Sequence, residues 1–210
     1  MKGARKNEAP PELTTWLALA NADWQPSYPF NEPAVRTAVV HSLFFEQRGL
    51  CVYCGRGLDL SSPGKSFHIE HFRPQHGANG RSDLEVSHTN LFLSCGQQDQ
   101  DGNVAQTCGT RKGDWFDEIN HVVPNYPDCT GRFKFMLSGH VEAAHADDAA
   151  ARAMIKQLQL DHPELVKDRE TTLALLDADK LDLADFWDVG KQVAESFGHI
   201  AYQHCGSSLP

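Results

Sequence analysis

Apolar positions in the first quarter of the chain recur at helical spacing. Val35, Val39 and Leu43 stand four apart, after the start signal Asn31-Glu32-Pro33 and before the stop at Gly49, which predicts a helix between them. Ahead of it, the polar, proline-punctuated stretch to Pro11 predicts an extended arm that docks on something else, followed by a short helix at 12–20. Between 50 and 115 the period shortens. The spacing predicts a tight knuckle at Cys51-Val52-Tyr53-Cys54-Gly55, short strands at 67–72 and 89–94, and a helix opening at 110–116. Gly, Asn and Ser in 75–83 predict a loop that arches over a site, and the Gln- and Asp-rich run between Cys95 and Cys108 predicts an excursion from the core. Further on, 132–137 and 140–143 flank Ser138-Gly139 as a hairpin, and helices follow at 146–160 and 162–177. A last stripe, Phe186, Val189, Val193, Phe197 and Ile200, predicts an amphipathic helical cap. The fold class expected is α+β, with an N-terminal arm and helix at 1–30, a core at 31–118, and a hairpin plus acidic helical region at 119–210.

Charge sharpens that division. The 210 residues carry a net charge of −9, which disfavours a protein that grips nucleic acid unaided, because phosphate contacts supply most non-specific affinity. Residues 1–115 hold 11 Lys and Arg against 12 Asp and Glu, whereas 116–210 hold 8 against 16. The first half can therefore present a local basic face, and the acidic half suits a protein partner better than a polynucleotide. The acidic run Asp177, Asp179, Asp182, Asp185 and Asp188 reads as a solvated face. The apolar patch Trp16-Leu17-Ala18-Leu19-Ala20 is too short for a signal sequence or a membrane span, so a cytoplasmic protein with no membrane contact is expected.

Six cysteines in a reducing compartment point to metal rather than disulfides. Cys51 and Cys54 have the spacing that lets one turn offer two sulfurs to a tetrahedral ion, and Cys95 with Cys108 completes a structural zinc set. A redox role for Cys51-x-x-Cys54 lacks the thioredoxin-like element order that such motifs need. Cys129 and Cys205, and the histidines at 121, 140, 145, 162, 199 and 204, have no partners at ligand spacing. Between the cysteine pairs lies Glu70-His71, a carboxylate beside an imidazole, which can hold a metal and deprotonate water.

The set Cys51-x-x-Cys54, Ile69-Glu70-His71-x-x-Pro74, Asn90-Leu91-x-x-Ser94-Cys95 and Cys108-x-x-x-Lys112-Gly113 resembles the HNH endonuclease motif on a zinc-stapled ββα-metal fold. Lys6, Pro10-Pro11-Glu12-Leu13, Trp16, and the later Leu158-x-Leu160-Asp161-His162-Pro163-Glu164-Leu165 with Arg169 resemble more narrowly the HNH subunit of the Septu anti-phage system, also found beside retrons. The resemblance implies a phosphodiester hydrolase with His71 as general base, Glu70 as ligand to a catalytic Mg2+ or Mn2+, and Asn90 bracing the histidine-bearing loop. It also implies a companion ATPase and a nucleic-acid substrate, DNA ahead of RNA. Lys112 and Arg111, one turn into the helix after Cys108, are assigned to a substrate phosphate, with Arg73 as a second candidate.

Two features qualify this picture. Neighbours on a regular strand face opposite ways, but Pro74 predicts a backbone that already bends out of the ladder at Glu70-His71, which lets the two converge; on a regular strand His68 becomes the rival ligand. Many HNH nucleases also carry Asn, His or Asp just after the last knuckle cysteine, where this chain has Gly109. Asp114, His88, His76 and Asp83 are the substitutes the sequence offers. Gly109 also motivates the alternative of a zinc-stabilised binding module without catalysis.

Overall fold

The computed structural model describes residues 1–96 and 106–210; most of the excursion between Cys95 and Cys108 lies outside the described residues. Proline opens three of the helices, α1 (Pro11–Leu17), α2 (Pro33–Glu46) and α5 (Pro163–Asp177). At the first helical position its missing N–H would have had no partner anyway, and its φ is already helical. In α2 the predicted stripe of Val35, Val39 and Leu43 is buried, each side chain contributing about 1.5–3 kcal/mol by leaving water.

The stripe packs on a two-stranded antiparallel sheet, β1 (Phe67–His71) with β2 (Leu91–Cys95). Phe67, Ile69 and His71 pair with Cys95, Leu93 and Leu91, and Phe67, Ile69, Leu91 and Leu93 pack toward α2; His68 and Glu70 pair with Ser94 and Phe92 on the other face, and Cys95 at the strand end turns its sulfur into the cysteine cluster. A short helix α3 (Cys108–Lys112) follows and packs against β2, so strand, strand and helix come in that order. The second face of the sheet belongs to a core formed with the cysteine knuckle, Phe72, Phe116, Met154 and Leu158.

The N-terminal arm docks on that knuckle. Lys2 N–H donates to Tyr53 O (3.0 Å), Gly3 N–H to Val52 O (2.7 Å) and Arg5 N–H to Glu46 O (3.0 Å). Lys6 pairs with the buried Glu46 carboxylate at 3.0 Å.

In the C-terminal half the expected hairpin forms as β3 (Phe133–Phe135) with β4 (Val141–Ala143). Helix α4 (Ala149–Gln157) is shorter than predicted, starting at an Asp148 cap that accepts from Ala151 N–H at 2.9 Å. The predicted terminal cap is the largest departure. Only Gly198–His204 is helical there (α6), and the residues before it make a small hairpin, β5 (Trp187–Asp188) with β6 (Val193–Ala194). Asp188 folds the turn by accepting from Lys191 N–H at 2.9 Å, so Val189 is exposed while Phe186, Phe197 and Ile200 are buried. Apolar spacing alone does not register such a turn. The acidic run is spent partly on it and on the Asp182/Asp185 capping box. No helix among the described residues is long and apolar enough to cross a membrane.

Candidate functional site

The sulfurs of Cys51, Cys54, Cys95 and Cys108 lie within 4.8 Å of one another, all buried. Two thiolates each about 2.3 Å from one tetrahedral ion sit about 3.8 Å apart, and Cys54 Sγ and Cys95 Sγ are 3.7 Å apart. Backbone N–H groups turn toward the sulfurs, Cys95 N to Cys51 Sγ at 3.3 Å and Arg56 N to Cys54 Sγ at 3.5 Å, as anionic sulfur requires. The cluster is compatible with a structural metal ion such as zinc. Cys129 is buried and Cys205 exposed, both away from the cluster.

A shell of basic groups that sequence reading missed surrounds the sulfurs. Lys2, Arg56, Arg169 and His199 all lie within electrostatic reach of one or more of the four cysteines. Burial pulls Lys2 down to about 7 and pulls Arg169 and His199 below their ordinary values. Burial also acts against Arg56, yet Cys54 and Asp168, the latter at 2.6 Å, hold its charge more firmly than usual. Four thiolates around a divalent ion leave two negative charges in a low-dielectric core, which the guanidinium groups of Arg56 and Arg169 offset. Arg169 donates to Gly139 O (2.6 Å) and Leu160 O (2.9 Å), and Leu158 O accepts from Cys108 N–H (2.8 Å). These contacts give the Leu158-to-Arg169 segment a structural role. His199 rests on Gly55, where an added Cβ would fall 1.9 Å from its ring.

Glu70 is buried on the α3 side of β1. Its Oε1 accepts from Tyr53 Oη (3.0 Å) and Lys112 Nζ (2.9 Å), while Oε2 lies 3.4 Å from His68 Nε2. Burial acts to raise its carboxyl pKa, and His68 and Lys112 outweigh that and hold it below the usual range. Gly109 bounds the remaining space. A Cβ there would lie 2.4 Å from Glu70 Oε2, 2.7 Å from His68 Nε2 and 2.9 Å from Ser94 Oγ. Two ligands each about 2.1 Å from one ion sit about 3.0–3.4 Å apart, so Oε2 and Nε2 fit a shared divalent cation. The strand is regular, so His68 rather than His71 shares a face with Glu70. Asp114, His76 and Asp83 are exposed, Asp83 being tied to Arg81, and His88 is buried beside Glu46 and Ser42.

His71 stays in the ladder opposite Leu91 and projects to the other face, so the expected bend before Pro74 does not bring it alongside Glu70. Its Nε2 lies 2.8 Å from Glu85 O, and its ring stands edge-on to Tyr28 at 4.6 Å. A carbonyl only accepts, so Nε2 carries the proton and Nδ1 is left as a lone pair, without a partner among the described residues. Burial depresses the imidazole pKa, partly offset by the Glu85 carbonyl. Asn90 accepts from Arg73 N–H (2.7 Å) and donates to Arg73 O (3.0 Å) and Leu84 O (3.2 Å), pinning both ends of the loop after β1.

The three cations assigned to substrate phosphate differ. Lys112 is buried and its three N–H bonds are all spent, on Glu70, His71 O (2.9 Å) and Gly113 O (3.2 Å), which leaves none for a phosphate. Arg73 forks onto Glu118 at 2.6 and 3.0 Å and stacks on Phe116. Arg111 is exposed, with no side-chain hydrogen bond or ion pair among the described residues. Neither the protein-family models nor the curated proteins compared with this chain match it.

Proposed function

We propose that this chain is a metal-dependent endonuclease of the HNH kind, hydrolysing phosphodiester bonds in nucleic acid, with DNA the favoured substrate. The observation that carries the reading is the Nε2 bond of His71 to the Glu85 carbonyl, which leaves Nδ1 unprotonated and ready to take a proton from water. The opposed directions of Glu70 and His71 suit a phosphate that straddles the strand between Phe67, whose carbonyl accepts from Gly64 N–H (2.8 Å), and His71, whose carbonyl accepts from Lys112 (2.9 Å). Such a phosphate meets the carboxylate from one face and the imidazole from the other. A divalent ion held by Glu70 Oε2 and His68 Nε2 supplies charge neutralisation at the phosphoryl oxygens when bound. His71 takes the water proton as the water oxygen bonds to phosphorus. The P–O3′ bond breaks in line, leaving a 5′-phosphate and a 3′-hydroxyl that takes its proton from solvent. Asn90 holds the loop that carries Glu85, and so holds the tautomer of His71.

Plasmid cleavage in Mg2+ or Mn2+ tests this directly. His71→Ala is expected to lose about 10²–10⁴ in rate, and equal cleavage by wild type and variant would discard the assignment. Mn2+ binding followed by electron paramagnetic resonance gives a readout independent of turnover. Glu70→Gln and Gly109→Ala are both expected to abolish the bound signal, the second by filling the space where the ligand atoms meet. A signal unchanged in both variants would remove the second metal from the scheme.

The narrower resemblance extends the proposal to an anti-phage effector working with a companion ATPase, and the net charge of −9 supports it, since a weak grip on substrate calls for a partner to deliver it. A second reading, a metal-stabilised binding module without catalysis, draws on the Lys112–Glu70 pair, because an ammonium on the ligand carboxylate opposes a divalent ion. Absence of Mn2+ binding even with DNA present favours it.

A further inference from the structure

The three cations assigned from sequence leave little positive charge for a substrate, with Lys112 saturated and Arg73 neutralised by Glu118. A groove of about 420 Å3 beside β1 offers a different contact. It runs between α2, β1 and the turn at Pro63-Gly64 that bonds to Phe67, and Tyr28, Arg36, Thr37, His41 and His68 line its polar part. No Asp or Glu among the described residues lines it, in a chain whose net charge is −9. Arg36 is exposed on α2, and its guanidinium has no hydrogen bond or ion pair among the described residues. Both ends of the candidate centre reach the groove, since the Tyr28 ring touches His71 at 4.6 Å and His68 is the partner of Glu70 at 3.4 Å. The remaining wall includes Phe30, Val40 and Leu60, apolar surface that suits sugar and base faces.

We propose that this groove seats one strand of DNA beside the centre, with Arg36 on a phosphate flanking the bond to be cut and Tyr28 against the adjoining sugar or base. The proposal rests on the hydrolytic reading of His71 and Glu70, and binding separates the two. A guanidinium on a phosphate forms paired, charge-assisted hydrogen bonds, and aromatic rings stack on any base without regard to sequence.

The test uses a fluorescein-labelled single-stranded oligodeoxynucleotide and fluorescence anisotropy, with His71→Ala as the background so that nothing is cut. Arg36→Glu is expected to weaken binding at least about tenfold. Arg36→Ala is expected to lower the slope of log affinity against log salt by about 0.7, the value for one single-strand phosphate contact. Lys180→Glu, an equal charge change at an exposed position in the C-terminal half, is expected to stay within about twofold, since the charge is screened by salt. Arg36 is exposed, so its variants keep the fold, and circular dichroism verifies that. Equal losses in Arg36→Glu and Lys180→Glu, an undetectable complex at low salt, or tighter binding of the matching oligoribonucleotide would each overturn the proposal. Loss of the hydrolytic reading shows elsewhere, as undiminished cleavage by His71→Ala.

Discussion

Stripping the ion from the four-cysteine centre is expected to unfold the chain rather than loosen one loop. Structural sites of this type contribute about 10–16 kcal/mol of apparent binding free energy, comparable to the whole net stability of a domain, about 5–15 kcal/mol. The knuckle is also where distant segments meet. Lys2 and Gly3 hydrogen-bond to its carbonyls, Val52 N–H reaches Leu93 O at 3.0 Å, Phe197 N–H reaches Gly55 O at 2.7 Å, and Cys108 is tied to Leu158. Without the ion, four sulfurs sit packed together among buried cations that have lost their counter-charge. A strong chelator at neutral pH is therefore expected to abolish the helical far-ultraviolet circular dichroism signal cooperatively, with one ion released per chain. Cys108→Ser is expected to be insoluble and Cys129→Ser to fold normally. A chelated protein that kept its spectrum and its thermal midpoint would show that the centre holds nothing together.

Lys112→Met is expected to destabilise the protein by about 3–5 kcal/mol, the cost of leaving a buried carboxylate without its partner. Glu70 is buried, and with Lys112 gone its Oε1 keeps only the Tyr53 hydroxyl. The double variant Lys112→Met/Glu70→Gln, which removes both charges, is expected to recover most of that loss. Urea unfolding of the two single variants and the double variant closes the cycle. A lysine whose task is to hold substrate phosphate behaves otherwise, with unchanged unfolding and a raised KM. That outcome would restore the role expected from sequence and refute the pairing as a stabilising contact.

These two residues show where sequence reading carries and where it stops. Lys112 follows Cys108 at the spacing of a known motif, and spacing reports position along a helix, not the neighbours across it. The three acceptors that use up its ammonium come from β1 and from its own helix end, and two of them are far away in sequence. That His68 shares a face with Glu70 was legible because alternation along a strand is a local rule, and the ladder from Phe67 to His71 is regular. His199 and Lys2 carried no signal at all. Each is an ordinary residue until the fold sets it against the cysteine cluster. The tail misled for the opposite reason, since its apolar residues do enter the core but reach it from a hairpin and a helix rather than from one stripe.

By itself the sequence determined what depends on near neighbours: the proline-started helices, two short strands, the hairpin, and the cysteines spaced for one ion. That β1 stays regular up to His71, with Glu70 and His71 on opposite faces, was decided by its ladder with β2. Only the tertiary structure decided which charges remain available. Lys112 and Arg73 are neutralised by carboxylates, while Arg36 and Arg111 have no ion pair among the described residues. The reason is that a side chain's solvation and pairing are set by groups brought close in space, and no periodicity along the chain records them.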